Sequence, residues 1–333
     1  MIAGLCFALA VVSADAATTS TAGAQATPAD PHLVMGNESC VKCHAAEVKV
    51  WKQTPHSRTF DELHRRPEAK KIAANLGLQS IKNEGRCVAC HYTQKVEESG
   101  NPHTIAGVSC ESCHGAAKDW LSLHSDYGGE GITRLTETSE HRQQRIAHSV
   151  AAGMRNPANV YLVAQSCLRC HTTADEELVN VGGHTAGSLD FEFVSWSQGL
   201  IRHNFVRTDG KTNEVSSPQR LRVMFVAGMI AELEASMRAT SVATQKATYG
   251  VTSAKRAARA GARIKSVAAK VNSPILNQVM EVFGSVALKL NNADQLTSAA
   301  DKIAALGHEF AATNDGSALS ALDTFIPKAD RYK

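Results

Sequence analysis

The chain has 333 residues, with 35 Lys and Arg against 32 Asp and Glu, a formal charge of +3 at pH 7. Aromatic residues make up only 5%, fewer than a core of large side chains normally needs. Beyond the first residues no segment is apolar enough to cross a membrane, which excludes a membrane-spanning mature chain.

The apolar run from Ile2 to Val12 is followed by Ala14-Asp15-Ala16, an A-x-A cleavage pattern without the usual basic n-region. Residues 1–16 are therefore expected to be a cleaved signal peptide, giving a periplasmic protein that starts at Ala17. Cys6 lies in this run behind the bulky Leu5, a poor lipobox, so no lipid anchor is expected. Residues 17–35 are mostly small or polar and read as a disordered leader.

Four Cys-x-x-Cys-His motifs follow: Cys40 to His44, Cys87 to His91, Cys110 to His114 and Cys167 to His171. The second thiols are Cys43, Cys90, Cys113 and Cys170. Each motif reads as a covalent c-type haem site, with two thiols for the haem vinyl groups and the adjacent His as proximal iron ligand. Zinc is the competing reading, because Cys-x-x-Cys is half of a structural zinc site. Disulfides are another, because paired Cys in an exported chain usually form bridges. Neither explains why His follows the second Cys each time. The expected cofactors are thus four covalently bound haem c groups within residues 36–212, a mainly α domain of short helices and long loops in which porphyrins replace aromatic side chains. Eight propionates would offset the +3 and give Arg and Lys their partners, which argues against nucleic acid as a ligand.

Beyond Ser216 there is no Cys and only one His, His308. Ser217-Pro218 and Ser273-Pro274 are cap-plus-proline helix starts. Thr252-Ser253 and Asn291-Asn292 read as two further caps. Apolar residues recur at helical spacing, as in Val226, Met229, Ile230, Leu233 and Met237. Residues 216–333 are expected to form an antiparallel helical bundle. Lys255, Arg256, Arg259, Arg263, Lys265 and Lys270 on its second helix read as a solvated face or as a docking surface for an acidic redox partner.

Each haem iron has a second axial position, and ten His lie outside the motifs. Two elements resemble the tetrahaem cytochrome c-554 family of ammonia-oxidising bacteria. One is Trp51-Lys-Gln-Thr-Pro-His56 after the first motif; the other is Gly107-Val-Ser-Cys-Glu-Ser-Cys-His114-Gly115. The resemblance covers about residues 38–205 and leaves the C-terminal helices without a counterpart. It implies His56, His124 and His203 as distal ligands, with the pairing open. It also implies an open sixth position on the His91 haem. His184, an extra His in the Gly-rich loop Val181-Gly-Gly-His-Thr-Ala-Gly187, can fill that position, and Met154 is a weaker candidate. The function implied is electron transfer between a multihaem oxidoreductase and a quinone-linked cytochrome, in hydroxylamine or nitrogen-oxide metabolism. The alternative is a multihaem enzyme acting on nitric oxide, hydroxylamine or nitrite at a five-coordinate haem. All four motifs end in His rather than Lys, which counts against an ammonia-forming nitrite reductase. A third reading makes the C-terminal bundle a structural or sensor module.

Overall fold

The computed structural model describes residues 27–97 and 100–333; the expected signal peptide lies outside them. The fold is mainly helical, with one small antiparallel hairpin that pairs Thr93–Lys95 with His103–Ala106. No helix among the described residues is long and apolar enough to cross a membrane.

Each Cys-x-x-Cys-His motif folds as a helical turn. Three lie at the ends of the helices Gly85–His91, Cys110–His114 and Val160–His171. The first follows the short helix Glu38–Val41, and its His44 N–H still donates to the Cys40 carbonyl at 2.9 Å. Residues i, i+3 and i+4 share one helix face, so this turn aims both thiols and the imidazole the same way. The third motif shows how such a turn is bounded. Ser109 and Ser112 form a reciprocal capping box at its start. Gly115 ends it at φ +86°, where a Cβ would lie 2.3 Å from the Gly153 carbonyl oxygen.

The boundary expected between leader and haem domain, residues 35 and 36, is tied to the third motif. Met35 and Gly36 donate their N–H groups to the two carboxylate oxygens of Glu111 at 2.9 and 2.8 Å, and Ala117 N–H donates to the same carboxylate. Glu111 is 1% exposed. A buried carboxylate needs such donors, and here Met35, the last residue of the expected leader, supplies one of them.

The C-terminal helices are Pro218–Ser241, Thr248–Ala268, Pro274–Gly284 and Ala293–Thr313. Ser217 and Ser273 cap the first and third, accepting from the Arg220 and Leu276 N–H groups. The second begins at Thr248, so Thr252 and Ser253 lie inside it rather than at its cap. Its basic residues also divide. Arg256 is buried, and Arg256, Arg259 and Arg263 all turn onto the buried Glu232 of the first helix. Arg256 is thus withdrawn from any solvated face, while Arg259 stays about half exposed.

The first of these helices is buried nearly all round from Val223 to Ser241. Two bundle helices pack against it, and so does Val160–His171, the helix of the fourth motif. One apolar cluster therefore runs from Val160, Tyr161, Ala164 and Leu168 into the bundle, across the division expected near residues 212–216. The earlier motifs have only a small cluster of Ala73, Ile81, Val88 and Tyr92.

Close packing at this junction is testable. A Cβ on Gly307 would lie 2.2 Å from the ring of the fully buried Tyr161, whose hydroxyl is fixed to Glu234 at 2.6 Å. Overpacking of this kind costs about 1–3 kcal/mol, which outweighs the roughly 1 kcal/mol of helix propensity that Ala gains over Gly. Gly307→Ala should thus lower the denaturant midpoint followed by far-ultraviolet circular dichroism.

Candidate functional site

Each of the four motif histidines faces one distant histidine. His44 faces His124, with ring centroids 6.4 Å apart. His56 faces His171, His91 faces His184, and His114 faces His203, each pair at 6.2 Å. The interplanar angles range from 22° to 87°. Rings in direct contact change separation as they change angle. An atom held between two rings fixes their separation and leaves their twist free. A metal–imidazole bond of about 2.0 Å on each side, with about 1.1 Å from each nitrogen to its ring centre, gives about 6.2 Å. The residues fit a bis-imidazole iron at all four positions.

Hydrogen bonding prepares these rings. His124, His184 and His203 hold Nδ1 against the carbonyls of Leu121, Thr185 and Ile201 at 2.6–2.8 Å. The His114 Nδ1 faces the Arg155 carbonyl, and the His171 Nδ1 faces the Ser188 hydroxyl at 2.9 Å. A carbonyl only accepts, so Nδ1 carries the proton and the Nε2 lone pair is left for a metal. Burial favours the neutral, ligating form. It lowers the pKa of His91 to about 4, with His184 and His56 adding to the effect. It does the same for His114, with help from His203, and for His171, with help from His56 and Arg256. His56 and His124 are lowered too, mainly by burial.

The motifs touch in a spatial order that differs from their sequence order. The Cys40 thiol lies within hydrogen-bond reach of Cys110, joining the first motif to the third. The Trp51 indole N–H reinforces this junction by donating to the Val108 carbonyl at 2.8 Å. Ser166 joins the fourth motif to the third by donating to the Cys113 carbonyl at 2.9 Å. Arg169 joins the fourth to the second by donating to the Ala89 carbonyl at 2.6 Å, and Cys90 there approaches Cys170. The series is first, third, fourth, second.

The other candidates sit elsewhere. His308 packs edge-on against Tyr161, His141 pairs with Glu137, and the Met154 sulfur accepts from Asn156. The eight motif cysteines are unbridged. Among the described residues no three His, Cys, Asp or Glu side chains converge as a zinc site requires.

Sequence reasoning missed the groups that fasten the His124 segment. The Glu137 side chain is covered and forms a two-pronged pair with Arg145 at 2.7 Å, while Arg145 donates to the His124 carbonyl at 2.6 Å. Arg145 holds the Glu137 carboxyl down at about 2, against an ordinary 4.5. A carboxylate with a depressed folded pKa stabilises the fold fully above its unfolded pKa and loses that contribution as pH falls toward the folded one. Acidification from pH 4.5 toward 2 should therefore loosen the Leu121–Ser125 amides in hydrogen exchange. Glu137→Gln should show the same loosening at neutral pH.

Residues 39–115 match the family described as cytochrome c554 and c-prime. A curated cytochrome c-554 from Nitrosomonas europaea is 33% identical over 101 residues, which cover 28% of this chain and 43% of that protein. The match thus spans less than half the length of the relative. No solved structure matches the chain.

Proposed function

We propose, from the match of residues 39–115 to the cytochrome c554 and c-prime family, that this c-type cytochrome carries four haems, each held between two histidines, and transfers electrons between protein partners. The observation that supports this most strongly is the set of four facing pairs, whose centroid separations agree within 0.2 Å while their twists differ widely. Haem c supplies one-electron chemistry at its iron. The polypeptide supplies the rest. Four Cys pairs anchor the rings, and His44, His91, His114 and His171 are the proximal ligands. His124, His184, His203 and His56 respectively are the distal ones.

His184 bears on the choice between the two main readings. The resemblance implies an open sixth position at His91, where a small nitrogen compound could react. In this chain the Gly182-Gly183 turn brings His184 to 6.2 Å from His91, and Gly183 takes φ +82° to do so. A closed position favours a carrier over an enzyme. The contact order of the motifs supports a path with the first and second haems at its ends and the fourth inside it. The partners would be periplasmic redox proteins, such as a multihaem oxidoreductase and a quinone-linked cytochrome, and the metabolism that of hydroxylamine or nitrogen oxides.

Intact-mass measurement should give the mature polypeptide plus four haems that resist acid-acetone extraction. A mass with fewer haems would count against the fourfold reading. The oxidised protein should show only low-spin signals in electron paramagnetic resonance, and the reduced protein should not bind carbon monoxide. His184→Ala should convert one haem in four to a high-spin, carbon monoxide-binding form, while His308→Ala should leave the spectrum unchanged. A high-spin haem in the wild-type protein that turns over nitric oxide or hydroxylamine would favour the enzyme instead.

A further inference from the structure

The C-terminal bundle reaches the fourth motif through one buried cation. Arg256, on the Thr248–Ala268 helix, is 3% exposed. Its Nη1 donates to the main-chain carbonyl of His171 at 2.7 Å, and its Nε lies 3.2 Å from Glu232 Oε1. Its Nη2 is buried without a hydrogen-bond partner. The approach depends on Gly187, at φ +78°, where a Cβ would lie 2.8 Å from Arg256 Nη1 and 2.5 Å from the His171 oxygen.

The charge around this contact is unbalanced. Glu232 faces three guanidiniums, with Arg263 at 2.9 Å and Arg259 at 3.9 Å beside Arg256, and the Glu192 carboxylate also acts on Arg263. The nearby Asp190 is paired with Lys333. Phe191 and Trp196 pack on the His171 ring at 4.9 and 5.0 Å and exclude water from that side. A fixed charge acts more strongly in such surroundings than in water.

We propose that Arg256 is a positioning residue that raises the reduction potential of the haem carried by His171, and that the C-terminal bundle is the frame holding this charge in place. The proposal rests on the four-haem reading above. An iron that takes up one electron from a neighbouring haem loses one unit of positive charge, and a buried cation beside its ligand favours that reduced state. Glu232 opposes Arg256, because its negative charge partly cancels the field.

The test is a spectropotentiometric titration of the complete holoprotein and its variants. Arg256→Gln should lower the potential of one haem of four by a tenfold or larger change in its redox equilibrium, about 59 mV for a one-electron couple. Glu232→Gln should move the same haem the other way. Arg256→Lys keeps the charge and should restore most of the wild-type value. Arg259→Gln, whose side chain is half exposed, should change little.

Both Gln variants break the same buried pair, so a merely structural role would shift the potential in one direction in both. Shifts of the same sign, or a shift spread evenly over all four haems, would overturn the proposal. If Arg256→Gln does not accumulate as holoprotein, a lowered potential in Glu232→Gln would be enough to reject it. The haem count and spin state of the wild-type protein judge the four-haem reading separately.

Discussion

The half of this molecule that carries the four Cys-x-x-Cys-His motifs is organised around four imidazole pairs held at nearly one separation. His44, His56, His91 and His114 lie early in the chain, and each faces a residue far along it: His124, His171, His184 and His203. Closing such long loops costs chain entropy, and the local apolar cluster is too small to offset it alone. Buried polar ties help to draw the segments together. Glu111 gathers the amides of Met35, Gly36 and Ala117, and Arg145 links Glu137 to the His124 carbonyl.

The bundle provides what the haem-bearing half lacks, a continuous apolar core. The two share the helix Val160–His171, whose one side packs into the bundle while its end carries the fourth motif. That motif is also the one in contact with both the third and the second. The continuous apolar core therefore lies under the fourth motif, inside the series. Buried polar groups bind the two parts further. Glu234 accepts from Tyr161 and Gln165 of the motif helix and pairs with Arg238 of its own. Such groups are stable inside a protein when each finds a partner.

The sequence by itself determined whatever depends on near neighbours. The Cys-x-x-Cys-His motifs and the helix starts at Ser217 and Ser273 were legible because each rests on contacts within about one helical turn. Alternation of apolar residues likewise exposed the bundle helices. The start of the second was misplaced, because Thr252 and Ser253 have the chemistry of caps but sit within a longer helix.

Only the tertiary structure decided which histidines meet. The sequence offers His184 for the His91 position beside an open one, and the fold brings the two rings to 6.2 Å, while His141 pairs with Glu137. Arg256 looks like one charge in a basic run, yet it lies buried against His171 because Gly187 leaves room for it. Proximity between residues distant in sequence is a property of how helices pack. Local patterns record only which side chains are available to meet.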